Sequence, residues 1–252
     1  IYWIGFYDIA TGLHCNPYLI VDDKEAVVID GGSRPDFPTV MMKIFQTGVS
    51  PKNIKALIYQ HYDPDLCGSV SNFEDIISRK DLKILAAKQD SMFIRHYSVS
   101  SPIHPIEQND YKYKFSSGRE LEFIRIPYSH SAGSFITLDS KTSTLFTSDL
   151  FGSFGKEWDL FLELSPECFD CTDYPNCPNK KKYCPFLGIL GFHKTVMTSN
   201  KALRLALNRI RELKFNMIAP QHGSVINDEA IINIVIDRLY SCEQIGIDGE
   251  LQ

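Results

Sequence analysis

The sequence predicts a mixed α/β fold in which two β-sheets lie face to face with helices packed outside them. Three observations carry this. Residues 17–30 read as strand, tight turn, strand, closed by Gly31 and Gly32. Short apolar strands then alternate with segments of helical apolar spacing up to about residue 97. A second strand-rich half opens near Tyr111 and again gives way to amphipathic helices. Two such halves bury their apolar faces most simply as layered sheets with helices on the outside.

Taken in order, residues 36–48 place Val40, Met41, Ile44 and Phe45 at helical spacing, and residues 54–59 form the next strand. A helix is expected from 75–79, a strand at 83–86 and a helix at 88–97. The second half offers short strands at 121–126, 135–139 and 144–147, separated by turn residues. Residues 200–213 give the clearest amphipathic helix, with Leu203, Leu207, Ile210 and Leu213 on one face. A short strand at 217–219 and a helix at 228–242 follow. The whole of 1–252 is expected to be one domain.

Composition narrows the function classes. The chain has 252 residues, 44% hydrophobic and 23% charged, with a net charge of −5, so nucleic acid is not expected as a partner. No apolar run reaches membrane-spanning length, so no membrane association is expected. The first residues lack the basic start and small-residue cleavage site of a signal peptide. A start at Ile1 instead of Met suggests a piece cut from a longer protein. Four of the seven cysteines fall between 168 and 184, which fits reduced, metal-binding thiols in a cytoplasmic setting better than a disulfide framework.

The densest chemistry is at residues 60–69. His61, Asp63 and Asp65 follow the strand at 54–59 at alternate positions. On an extended segment they would project to one side, and Pro64 is expected to keep that segment from becoming helical. His130, Asp149 and His222 each follow another apolar strand. Sites at the carboxyl ends of strands are common in layered α/β folds. Six nitrogen and oxygen donors suit iron, manganese or zinc, and are enough for two ions.

With these motifs in place, the chain resembles the metallo-β-lactamase superfamily along nearly its whole length. The resemblance rests on the hairpin ending Ile-Asp-Gly-Gly, the His-x-Asp-x-Asp run at 61–65 and the Pro-Tyr-Ser-His-Ser segment at 127–131. Thr-Ser-Asp ending at Asp149 and Ala-Pro-Gln-His-Gly at 219–223 complete it. It implies a four-layer αββα sandwich. The carboxylate at Asp63, the Pro64-Asp65 pair, Gly68-Ser69 and Pro-Gln-His-Gly resemble the flavodiiron and oxygen-binding di-iron branch within that superfamily. Carried over, one iron would take His61, Asp63 and His130, the other Asp65 and His222, with Asp149 bridging. Two departures stand out. Leu66 occupies a place where relatives usually carry histidine, which leaves the second metal short of a ligand. Asp63 replaces the usual glutamate with a shorter arm. Dimerisation is implied by the resemblance alone.

Cys168, Cys171, Cys177 and Cys184 mark a Cys-rich insertion at 165–187, turn-rich and too poor in apolar residues to build its own core. A bound metal would supply the cohesion: zinc, a single iron, or an iron–sulfur cluster that feeds electrons to the main site. His14, His96 and His104 read as surface or loop residues. His193 reads as a hydrogen-bonded structural histidine, with orientation of a ligand as its alternative role.

The resulting expectation is a non-haem di-iron protein that binds dioxygen or nitric oxide. It would act either as a sensor with a signalling partner or as an oxidoreductase fed by an external electron donor. Flavodiiron relatives carry a flavin domain, and no phosphate-cradling loop for one follows the metal-binding segments here. The rival is a dinuclear zinc hydrolase, in which the metals would activate a bridging water. Leu66 and Asp63 depart from that pattern at two ligand positions.

Overall fold

The computed structural model describes residues 1–8, 10–172, 174, 176–177 and 184–250. Among them, a six-stranded sheet has the order β1 (Tyr2–Trp3), β2 (Tyr18–Asp22), β3 (Glu25–Ile29), β4 (Ile54–Ile58), β5 (Lys83–Ala86), β6 (Ile103–Pro105). The second sheet runs from β7 (Lys112–Lys114) through β8 (Glu120–Arg125), β9 (Phe135–Asp139) and β10 (Thr144–Phe146) to β11 (Met217–Ala219). Both are mixed: β2 and β3 form the predicted antiparallel hairpin, whereas β3 through β6 are parallel, as are β10 and β11.

The helices are α1 (Phe37–Gln46), α2 (Pro64–Cys67), α3 (Val70–Ile77), α4 (Lys88–Ile94), α5 (Pro185–Val196), α6 (Asn200–Arg211), α7 (Glu229–Ser241) and α8 (Ile247–Glu250). None of the described helices is long and apolar enough to cross a membrane.

Side-chain alternation along the strands builds three apolar layers. Val27 and Ile29 of β3 face inward with Ile20 and Ile58, against Leu121, Phe123, Phe135 and Phe146 of the second sheet. Val28, between them, turns outward with Leu19, Leu57 and Ile84 and packs on Val40 and Ile44 of α1 and Phe73 and Ile77 of α3. On the far side, Ile136, Leu138, Leu145 and Ile218 pack on Leu203, Leu207 and Ile210 of α6 and Val235 and Leu239 of α7. The order helix, sheet, sheet, helix is the expected αββα sandwich.

The structure departs from the sequence reading in several places. The segment after β4 is not extended through Asp65: Asp63 is extended, but Pro64 opens α2 and Asp65 sits in its first turn. Proline is well suited to the first helical position, where its missing N–H has no partner to lose. The helix expected at 75–79 starts earlier, at Val70, because Val70, Phe73 and Ile77 supply its buried face. The 12-residue α5 has no counterpart in the sequence reading; it is apolar on most sides, so its periodicity is weak. His14, read as a surface or loop residue, lies in a loop but is fully buried, and His104, read the same way, lies in β6.

Candidate metal centre

The two sheets are tied together directly beneath the site. Gln60 donates its backbone and side-chain N–H groups to the Asp30 carboxylate, both at 3.0 Å, and its side-chain oxygen accepts from Thr137 of β9 at 3.0 Å. The next residue is His61. Asp30 is fully buried, and burial lifts its pKa to about 7 against the Gln60 hydrogen bonds.

All six predicted ligands converge, each from a loop at the end of a strand or from α2. His61 Nε2 lies 3.8 Å from Asp63 Oδ2 and 3.8 Å from Asp149 Oδ1. His130 Nε2 lies 2.9 Å from Asp63 Oδ2. His222 Nε2 is 3.1 Å from Asp65 Oδ2 and 3.5 Å from Asp149 Oδ1. Asp149 Oδ1 therefore stands between the two groups. Side-chain exposure is 1% for His61, 3% for His222 and 6% for Asp149, against 33% for Asp63 and 29% for Asp65. The site is a buried floor with an acidic rim.

Each histidine is held by its other nitrogen. Nδ1 of His61 meets Ser148 Oγ at 2.8 Å, Nδ1 of His130 meets the Val196 carbonyl at 3.1 Å, and Nδ1 of His222 meets the His14 carbonyl at 2.8 Å. With Nδ1 of each ring so engaged, Nε2 of each is turned towards carboxylates of the site. Such anchoring fixes tautomer and ring orientation in metal-ligating histidines. His61 Nε2 and Asp149 Oδ1 are buried without a hydrogen-bond partner. Orphaned polar atoms of this kind are costly unless a cation satisfies them. The donor set fits a pair of ions.

The electrostatics agree. Burial pushes His61 below its usual pKa. Burial also opposes charge on His130, but the Asp63 hydrogen bond and Asp149 outweigh it and lift the imidazole to about 9. For Asp65, burial is outweighed by the His222 hydrogen bond, which holds the carboxyl down at about 2. Asp63 is likewise lowered by His130 in spite of burial.

The loops that present these groups take unusual backbone conformations. Asp30, Tyr128, Ser148 and Phe151 all have positive φ; such outliers persist only where surrounding structure over-determines them. Gly223, with φ of 80°, follows His222, and a Cβ there would meet Ser153 Cβ at 2.8 Å. Asn16 clamps this loop by donating to the carbonyls of Pro220 and Gly223 at 3.1 and 2.7 Å.

Two residues near the site were not found by sequence reasoning. His14 clusters with Tyr7 and Trp158, its ring centroid 4.6 and 4.8 Å from theirs, which are 5.6 Å from each other, and its carbonyl meets His222 Nδ1. Cys15 belongs, with Asp65 and His222, to a set of donor atoms all within 4.8 Å of one another; His61, His130 and Asp149 form a second such set. Neither residue lies in a recognisable motif. His193 accepts from the Phe151 N–H at 3.0 Å and so holds the loop of Asp149. His96 is exposed and His104 half-buried. Among the described residues, Cys168, Cys171, Cys177 and Cys184 do not form a close donor set. Cys168 is buried at the edge of the α5 core, Cys184 precedes α5, and residues 173, 175 and 178–183 of the predicted insertion lie outside the described residues.

A family model described as ODP family beta lactamase matches residues 13–223. Among curated relatives, the chain is 29% identical over 147 residues to diflavin flavoprotein A 1 of Synechocystis sp., covering 58% of this chain and 25% of the relative. It is 24% identical over 224 residues to the anaerobic nitric oxide reductase flavorubredoxin of Vibrio vulnificus, covering 87% and 41%. The chain thus spans less than half the length of these relatives. The apo state of the chemotaxis sensor ODP from T. denticola superposes with a TM-score of 0.75 at 26% identity, covering 99% of this chain and 98% of that one. A peroxy di-iron species of chemotaxis sensor ODP gives 0.76 at 24% identity, with 98% of each chain covered.

Proposed function

Because this chain belongs to the ODP family of beta-lactamase proteins, we propose that its six converging side chains hold two irons and that the loaded protein reacts with dioxygen or nitric oxide. His61, Asp63 and His130 would hold one ion and Asp65 and His222 the other, with Asp149 shared between them. The observation that carries the reading is the common orientation of the three histidines, each tied by Nδ1 with Nε2 turned inward.

When bound, the iron pair supplies the electrons and the open coordination at which a diatomic gas reacts. The protein's share is positioning. Ser148, Val196 and His14 keep the three Nε2 atoms aimed at the carboxylates, and the buried Asp149 side chain stands between the two positions. Three carboxylates offset most of the charge of two divalent ions. An ion held by His130 and Asp63 would take the place of the proton these two share, so uptake would be coupled to proton release. Leu66 brings no donor atom and leaves the Asp65–His222 position with fewer ligands. Asp63 and Asp65, the most exposed of the six, mark the side of the site open to solvent.

The sensing form of this reading is supported by the end-to-end match with solved chemotaxis sensors. A changed ligation would bias a loop or partner surface between two arrangements. As a reductase, the same centre would need an external electron donor. A homodimer and a metal at the four loop cysteines belong to the same proposal.

Metal analysis with an anaerobic visible spectrum, followed by admission of air, tests it. The expected result is about two irons per chain and an oxygen-dependent absorption change. Zinc alone, with no spectral change after reconstitution with ferrous iron, would overturn it in favour of hydrolysis.

A further inference from the structure

We propose that Cys15 is a ligand of the second metal position and completes the donor set that Asp65 and His222 begin. This rests on the two-metal reading above. Cys15 is 4% exposed, and a buried cysteine is often only a small apolar filler. Its surroundings here are not apolar. Its Sγ, a carboxylate oxygen of Asp65 and a nitrogen of His222 all lie within 4.8 Å of one another. Donors bound at about 2.0 to 2.3 Å to one tetrahedral ion stand roughly 3.5 to 4 Å apart, so modest closure around an ion brings the three together.

A second observation points the same way. Asp149 Oδ1 is buried, has no hydrogen-bond partner, and lies 3.5 Å from His222 Nε2. It is an unmatched carboxylate oxygen beside the same His222 nitrogen that meets Asp65. Leu66, in the α2 turn beside Asp65, is fully buried among apolar side chains and offers no donor.

Cys15 Sγ lies 3.9 Å from His222 Nδ1, whereas the other thiols outside the insertion face backbone carbonyls. Cys67 donates to the His61 carbonyl at 3.4 Å and Cys242 to the Glu243 carbonyl at 3.6 Å. Cys15 is held where it is by its own backbone: its carbonyl accepts from Phe6 N–H at 3.1 Å. The carbonyl of the preceding His14 fixes His222, so one short segment presents both the anchor and the thiol. On ligation the S–H bond breaks, the sulfur–metal bond forms, and the proton leaves to solvent.

The test is cobalt(II) titration of metal-free protein in the Cys171→Ser/Cys177→Ser background, which removes two thiols of the insertion. Filling of the second position should bring in a near-ultraviolet sulfur-to-cobalt charge-transfer band. Adding Cys15→Ser should abolish that band, keep the visible cobalt bands of the remaining ligands, and weaken the second ion about 10- to 100-fold. A full band and unchanged second-ion affinity after Cys15→Ser overturn the assignment while leaving the two-metal reading intact. Failure of cobalt to bind at all overturns both. Should Cys15→Ser not fold, X-ray absorption of the parent variant decides: sulfur at about 2.3 Å supports the ligand, and a shell of nitrogen and oxygen alone overturns it.

Discussion

Ser148 Oγ lies 2.8 Å from His61 Nδ1, so one hydroxyl joins a histidine from the first sheet to the residue before Asp149, which belongs to the second. The contact orients a ring and locks two loops at once. Ser148→Ala removes it and leaves the His61 ring free to turn. We expect a loss of about 1 kcal/mol in stability and a 10- to 100-fold loss in affinity at the first metal position. Urea unfolding and competition with a chelator measure the two separately. Equal affinity in the two proteins would show that the ring is held by packing alone.

Beneath His61, Asp30 accepts two hydrogen bonds from Gln60 in a site closed to water. Asp30→Ala leaves both donors unsatisfied, and it also puts a residue with a Cβ but no compensating side-chain contact at φ of 53°. The expected cost is about 2 to 4 kcal/mol. Asp30→Asn keeps an acceptor and tolerates the left-handed backbone, so it should recover at least half of that. Equilibrium unfolding of the three proteins settles the order.

Leu66 gives a prediction with two opposed parts. It is fully buried among apolar neighbours, so Leu66→His should destabilise the metal-free chain by about 2 to 4 kcal/mol. In the loaded chain the imidazole adds a donor beside Asp65 and tightens the second ion. The difference in thermal midpoint between metal-free and loaded protein should therefore widen relative to wild type. A difference that does not widen would mean that position 66 does not face the second ion.

Much of this site was legible in the sequence because its donors sit in short local patterns. His61, Asp63 and Asp65 lie within five residues, and His130, Asp149 and His222 each close an apolar strand, so strand ends alone predicted their convergence. The hairpin of β2 and β3 was equally plain, since Asp23-Lys24 interrupts two apolar runs. What escaped was set by tertiary packing. Cys15 and His14 meet His222 across more than 200 residues, a separation at which no local pattern speaks. The α5 helix was hidden because both its faces are apolar or small, leaving no polar stripe to mark its period. Pro64 was misread because proline forbids a helix interior but favours a helix start, and only the backbone around Asp63 shows which applies.

His193 carries the last prediction. Its Nδ1–H donates to the Ile189 carbonyl at 2.8 Å, and its Nε2 accepts from Phe151 N–H at 3.0 Å. That acceptor exists only in the neutral ring. Burial lowers its pKa to about 4, so the ring is neutral at pH 7. In the unfolded chain the pKa is about 6.5, and between the two values the unfolded state binds the extra proton. The sign follows: stability from this residue is complete above about pH 6.5 and falls as pH drops towards 4, by about 3 kcal/mol over that span. His193→Leu should abolish this part of the pH dependence. It should also leave the Phe151 N–H orphaned, at a cost of about 1 to 3 kcal/mol at pH 7. Because Phe151 stands two residues beyond Asp149, affinity for both metal ions should drop together. His193→Gln restores an acceptor that does not titrate, so it should recover affinity but not the acid-sensitive slope. Unfolding curves from pH 4 to pH 8 on the three proteins, run metal-free, read the slope. A Leu variant with the wild-type slope would mean that another buried group sets the acid limit.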